Sequence, residues 1–268
     1  MQAVILAAGR GGRLREGIPK CLIRLGDRSL LEHQIQLLRS LGIKDICAVI
    51  GYGADQVRSV VGDQCHYVLN PRPLETNSLY SLSLTRDWVR GAFIQVNCDV
   101  VADPRVYRRV LGSRCSTLAY DSRSGNSDEH MKVSIHRQHL CQISKALPSS
   151  ACNGESLGIL KYDDEGARAL FAAVEQVLAD DGEMCWAPAA VARLVQTHKV
   201  RCVDVAGLPW TEIDYVEDAL YAKFEIWPAL RAQNRARGWS GPARRARQVA
   251  AQVVSAMGTF GGVFQDLF

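Results

Sequence analysis

A short apolar run near the start, AVILAA (residues 3–8), stops abruptly in GRGGRL (residues 9–14). Six apolar residues with no polar face suit a central strand covered on both sides, as in parallel sheets. The segments that follow keep the same rhythm. Ser29 and Glu32 make an S-x-x-E capping box, Leu31, Ile35 and Leu38 recur at helical spacing, and Gly42 marks the stop. A strand at 46–51, a helix near 54–61, a strand at 66–70, a helix at 78–87 and a strand at 92–101 come next. Strands alternating with helices predict an α/β fold with a doubly wound, mostly parallel, Rossmann-like sheet.

From residue 116 the pattern becomes richer in strands (STLAYD, KVSIH, LGILKY) before helices near 164–179 and 187–197, which reads as a small inserted β region. VRCVDV (200–205) is a further strand, and a long helix follows from 215 in which Pro228 is expected to kink or break the chain. The reading therefore divides the chain into residues 1–227, carrying the alternating α/β fold, and a basic extension, 228–268.

A strand that empties into glycines and arginines raises the question of an anion. Gly9, Gly11 and Gly12 allow a sharp turn and bring backbone N–H groups close to a ligand, while Arg13 and Lys20 add formal charge. By itself such a turn is weak, being neither a Walker loop nor G-x-G-x-x-G. The whole string, Leu6-Ala7-Ala8-Gly9-x-Gly11-x-Arg13-Leu14 followed by Pro19-Lys20, resembles the L-A-A-G-x-G-x-R-L…P-K signature of the nucleotidyltransferases, enzymes that join a nucleoside triphosphate to a phosphate-bearing acceptor. The resemblance implies the nucleotide-diphospho-sugar transferase type of sheet. It also implies that Leu6, Ala7, Ala8, Gly9, Gly11 and Gly12 surround the triphosphate, that Arg13 holds the departing phosphates and that Lys20 touches the phosphate under attack.

Two carboxylates stand where a metal would be needed. Asp99 lies at the carboxyl end of a buried strand, the edge where open α/β sheets bind ligands; its alternative as a helix cap is better filled by Asp103. Asp214 closes a strand-like W-x-E-x-D run that sets Trp210, Glu212 and Asp214 on one face, with capping of the next helix as its alternative role. An aspartate pair holding Mg²⁺ against phosphates is the expected hard-cation arrangement.

ETNSLYSL (75–82), HMKVSI (130–135), QISKAL (142–147) and GESLGILKY (154–162) resemble the phosphocholine and aminoalkylphosphonate cytidylyltransferases. That likeness sets Asn77 and Ser81 beside the nucleotide, Lys145 on the acceptor phosphate and Glu155 in the acceptor region. Asn77 and Ser81 share one helical turn and suit a cytosine edge, and Asn77 equally suits the N-cap of that helix. For a cationic acceptor, Trp210, Tyr215, Asp128 and Glu129 are the available aromatic and acidic groups. The implied partners are CTP and a small phosphate- or phosphonate-bearing acceptor, with a sugar or polyol phosphate as the alternative. A nucleotide-binding regulatory subunit without turnover is the alternative from another class.

Composition narrows the remaining choices. A net charge of +4, with much of the excess in the tail, does not build a nucleic-acid groove. Nine cysteines without a C-x-x-C pair read as reduced core residues, and the pairs His136/His139 and His139/Cys141 lack the further ligands a metal site needs. The opening residues lack the basic leader and cleavage site of a signal peptide, and no apolar run reaches the about 18 residues of a membrane span, so a cytoplasmic protein is expected. The basic tail leaves open a homodimer contact, an anionic membrane surface, part of a second module, or a solvated helix.

Overall fold

The elements, in a computed structural model that describes residues 1–14, 18–125 and 127–233, alternate as the hydrophobic pattern requires. They begin with β1 (Gln2–Ala7), α1 (Leu30–Ser40), β2 (Asp45–Ile50), α2 (Ala54–Val61), β3 (His66–Leu69) and α3 (Ser78–Ser83). Then come β4 (Phe93–Asn97), β5 (Val100–Ala102), α4 (Pro104–Leu111), β6 (Thr117–Asp121), β7 (Lys132–His136), β8 (His139–Ser144) and β9 (Gly154–Tyr162). The chain continues through α5 (Asp164–Asp180), α6 (Pro188–Leu194), β10 (Arg201–Asp204), β11 (Trp210–Glu212), α7 (Val216–Tyr221) and α8 (Trp227–Gln233). Residues 234–268, most of the expected basic extension, lie outside the described residues.

Among the described residues, nine strands form one sheet in the order β3-β2-β1-β4-β9-β6-β10-β8-β7. β3, β2, β1 and β4 are parallel. β9 runs antiparallel to both β4 and β6, and β10 lies parallel to β6. The parallel order is thus concentrated in the N-terminal half, and the strand-rich stretch expected as an insertion extends the same sheet.

Strand period two sends alternate residues of β1 to opposite faces. Ala3, Ile5 and Ala7 pack with Leu31, Ile35 and Leu38 of α1 and Val57 of α2. Val4, Leu6 and Ala8 pack with Leu79 and Leu82 of α3 and with residues of α5 and α6. Both faces are therefore covered by helices, which is the doubly wound arrangement expected from the sequence. α1 starts at its capping box: Glu32 N–H donates to Ser29 Oγ, while the Glu32 carboxylate accepts from Ser29 N–H at 2.8 Å.

Three boundaries differ from the sequence reading. The expected strand at 92–101 is two strands: β4 ends at Asn97, the chain turns through Cys98 and Asp99, and β5 pairs antiparallel with β11 in a separate small sheet. The helix expected over 78–87 stops at Ser83 and continues as turns. Pro228 does not break the last helix. Its missing N–H is absorbed by a wider π turn at Ala222–Ile226, in which Trp227 N–H donates to Ala222 C=O, so helical structure runs from Val216 to Gln233.

Asp163 fixes the start of α5. Its carboxylate accepts from Gly166 N–H at 2.7 Å and from Ser116 N–H at 2.8 Å, and His198 lies 3.6 Å away. Burial alone would raise its pKa, but these donors outweigh burial and hold it below the usual aspartate range. Asp163→Ala is expected to cost about 1–2 kcal/mol in urea unfolding at neutral pH. The parent's advantage is present above the unfolded-state pKa, about 3.9, and disappears as the pH falls through the lower folded value.

Candidate active site

The carboxyl ends of β1, β3 and β4 open into one cleft of about 470 Å³. Such an edge is where the strand order of an open α/β sheet leaves room for a ligand. Leu6, Ala8, Gly9, Gly11, Gly12 and Arg13 line it from the first loop, and Asn77 and Ser81 from α3. Lys20, Asp99, Lys145, Glu212 and Asp214 complete its polar wall. Residues predicted from distant parts of the sequence thus face one space.

The glycine loop is shaped for a close approach. Gly11 has φ +67°, and a Cβ built there would meet Lys20 Cβ at 2.9 Å. A Cβ at Gly9, by contrast, would meet nothing within 4 Å and would stand in open cleft. Gly11→Ala is expected to displace the Lys20 stem and lower the turnover of any reaction at this cleft about tenfold or more, read from initial rates.

Lys20 stands at the centre of the charges. Its Nζ lies 2.5 Å from Asp99 Oδ2 and 2.5 Å from Asp214 Oδ1. Burial would lower the lysine pKa, but the two carboxylates outweigh it and hold the ammonium above the ordinary lysine range. Glu212 is pushed well above the usual carboxylate range, first by burial and then by the nearby Asp99 and Asp214. Asp214 does not cap α7. Its own N–H and that of Tyr215 donate to Asp218 at 3.0 and 2.9 Å, leaving its carboxylate to face Lys20. The cap of α4 is Asp103, which frees Asp99 in the same way.

These residues fit a hard divalent cation. Asp99 Oδ1 is buried and has no hydrogen-bond partner among the described residues, and the donors are carboxylate oxygens. Among the described residues no cluster of three or more His, Cys, Asp or Glu is set to hold an ion, so two carboxylates would be the protein's share and nucleotide phosphates or water the remainder.

Arg13 reaches from the loop across the mouth: its Nη1 donates to Tyr215 Oη at 2.9 Å and lies 3.9 Å from Glu129 Oε2. Glu129 also pairs with Lys145 Nζ at 3.3 Å, and the same ammonium lies 4.8 Å from the centroid of the Trp186 ring. Asn77 caps α3, accepting from Ser78 N–H at 2.8 Å, and still lines the cleft. Ser81 accepts from Asn70 Nδ2 at 3.1 Å.

Five predicted residues are not brought to the cleft wall: Tyr215 meets Arg13 outside it, Asp128 is exposed and pairs with Lys132, and three more turn elsewhere. Ala7 points to the opposite face of β1, into the core shared with α1, because Leu6 and Ala8 take the cleft side. Trp210 turns away to donate from Nε1 to Asp121 Oδ2 at 2.8 Å and packs on that same core. Glu155 is buried beside Ser124 and His130, with His130 Nδ1 at 3.3 Å. The sequence reading gave no role to Asn70, Trp186 or Glu212. Asn70 follows directly after β3, so the same edge rule that singles out Asp99 points to it as well.

Residues 3–200 match the MobA-like NTP transferase domain. The chain belongs to this family. It is a nucleotidyltransferase by family, and cytidylyltransferases are among its relatives. It is 35% identical over 131 residues to the CMP-5'-(3-aminopropyl)phosphonate synthase of Streptomyces rubellomurinus, covering 46% of this chain and 21% of that protein. It is 35% identical over 128 residues to the choline-phosphate cytidylyltransferase of Streptococcus pneumoniae, covering 46% and 53%. It is 30% identical over 232 residues to a bifunctional IPC transferase and DIPP synthase of Rubrobacter xylanophilus, covering 81% and 50%. The matches thus span between 21% and 53% of these relatives' own lengths. Among solved structures, the inositol-1-phosphate CTP transferase from T. maritima superimposes with a TM-score of 0.73 at 20% identity, covering 89% of this chain and 98% of that one. This likeness extends to the fold.

Proposed function

We propose that the protein transfers CMP from CTP to a small phosphate- or phosphonate-bearing acceptor and releases pyrophosphate. The observation that carries this reading is the convergence of the Gly11 turn, Arg13 and Lys20 with the Asp99 and Asp214 carboxylates in one cleft. An oxygen of the acceptor's own phosphate attacks the α-phosphorus; the bond to the β-phosphate bridging oxygen breaks, and pyrophosphate carries away the electron pair. No side-chain nucleophile is required, so positioning and charge are the protein's whole contribution. The backbone of Gly9 to Gly12 and the Arg13 guanidinium hold the triphosphate. Lys20 balances charge beside the reacting phosphorus, and Lys145 binds the acceptor's phosphate. Asn77 and Ser81 present polar atoms to the base. Asp99 and Asp214 would hold Mg²⁺, which when bound neutralises phosphate charge.

A polyol phosphate acceptor is the second reading, favoured by the relative that covers 81% of the chain, named as an IPC transferase. Among the described residues no helix is long and apolar enough to cross a membrane, and a cytoplasmic enzyme drawing on cellular CTP suits either acceptor. The test incubates the protein and Mg²⁺ with each nucleoside triphosphate against phosphocholine, aminoethyl- and aminopropylphosphonate, inositol phosphate and sugar 1-phosphates, following pyrophosphate. The reading expects release with CTP and an amine-bearing acceptor. Release with CTP and inositol phosphate alone establishes the second reading, and none with any pair removes both.

A further inference from the structure

Behind the cleft lies a second cavity of about 790 Å³, larger than the cleft's 470 Å³ and sharing none of its lining residues. A volume of this size is within the range of small-molecule sites. It is bounded by α1, β5, α4 and α8; Leu37, Val101, Trp227 and Leu230 give its apolar surface, with Leu25 and Leu30 buried behind them. We propose that this cavity is a binding site for a soluble amphipathic anion, whose apolar body lies on that wall and whose charged head meets the arginines at its rim.

The charge on the lining is one-sided. Arg28, Arg105, Arg108 and Arg231 face the space, with Asp103 as the carboxylate among the lining residues. Asp103 is itself buried and already engaged: it accepts from Arg105 Nε at 2.9 Å and Nη2 at 2.8 Å and caps α4. Arg28 has a loose pairing with Asp27 at 3.8 Å. Arg108 and Arg231 have no side-chain hydrogen bond or ion pair among the described residues, so their guanidinium groups are available to an anion. His33, also on the lining, is held below the usual histidine pKa by burial, so it is neutral near pH 7 and the arginines supply the positive charge.

The remaining polar groups of the wall fall into two sets. Gln34 Nε2 donates to Val100 C=O at 2.6 Å, and Tyr107 Oη donates to Gln34 Oε1 at 2.9 Å, so these need no ligand. Trp227 Nε1 is buried without a hydrogen-bond partner among the described residues, while the ring packs 4.3 Å from His33. The excess of arginine over carboxylate beside apolar surface selects for an amphiphile whose head is anionic.

The position gives such a ligand a route to the cleft. Val100, Val101 and Ala102 of β5 line the cavity and pair with Glu212, Thr211 and Trp210 of β11. The same ladder ends in Ile213 N–H donating to Asp99 C=O at 3.1 Å, one residue before Asp214. Asp99 directly precedes β5 and Asp214 follows β11 by two residues, so the cavity wall is continuous in the backbone with the segments that carry both carboxylates.

The test titrates the full chain with 1-anilinonaphthalene-8-sulfonate by fluorescence and displaces it with dodecyl phosphate below its micelle concentration. The expected result is one equivalent bound, not displaced by saturating CTP with Mg²⁺, displaced by dodecyl phosphate, and weakened about tenfold or more in the exposed double variant Arg108→Glu/Arg231→Glu. Leu37→Trp, which fills the cavity without changing charge, is expected to weaken it as well, with folding of both variants checked by circular dichroism. Competition by CTP, unchanged affinity in both variants, binding only to anionic vesicles, or no binding, as when another part of the chain or a second copy covers the cavity, would each overturn the proposal. None of these readouts depends on cytidylyl transfer.

Discussion

Asp99→Ala is expected to lower kcat/KM for pyrophosphate release by about 10³-fold or more, equivalent to about 4 kcal/mol of transition-state stabilisation, while leaving the fold intact. The argument rests on what Asp99 touches. One oxygen meets Lys20 and the other is buried with no partner among the described residues. A carboxylate held in this way costs desolvation energy that no structural contact offsets at Oδ1, and a cation in the cleft offsets it. In the variant, Lys20 keeps Asp214, so thermal unfolding should shift by only a few degrees. An Asp99→Ala protein that unfolds normally and turns over at the parent rate would remove the metal role assigned to this residue.

Lys20→Met is expected to reduce activity by about 10²–10⁴-fold and to change the response of stability to Mg²⁺. The ammonium now lies between Asp99 and Asp214, with Glu212 beside them. Without it the half-exposed Asp214 and the largely buried Asp99 face each other with no cation between them, and like charges repel. The variant should have a lower Tm than the parent in chelator, and added Mg²⁺ should raise its Tm more than the parent's, since a cation that binds only the folded form stabilises it. Differential scanning fluorimetry with and without Mg²⁺ reads this directly. Equal Mg²⁺ responses in the two proteins would mean that the ion and the lysine do not compete for the same carboxylates.

Much of this was legible in the sequence where chemistry is local. A covered strand, a capping box and a glycine turn are each specified by neighbouring residues, and β1, α1 and the loop after β1 fall where those signals put them. Asp99 and Asp214 were legible by their position at strand ends. Their meeting through Lys20 was not, because it joins residues 79 and 194 positions apart. Trp210 misled because period two shows which residues share a face but not where along the strand the cleft ends; its indole found Asp121 instead. Of the two outcomes expected at Pro228, a kink or a break, the break does not occur, because a single π turn accommodates the missing N–H. The continuous apolar string at 92–101 concealed the turn that presents Asp99, since β4 and β5 are both buried although they belong to different sheets.

The most direct measurement is a crystal structure with a non-hydrolysable CTP analogue and Mg²⁺. The account predicts the phosphates against the N–H groups of Gly11 and Gly12, a cation ligated by Asp99 and Asp214, and the Lys20 ammonium moved from between them toward phosphate oxygen. A nucleotide bound elsewhere, or one seated in the cleft while Lys20 still bridges both carboxylates and no cation touches them, would contradict it.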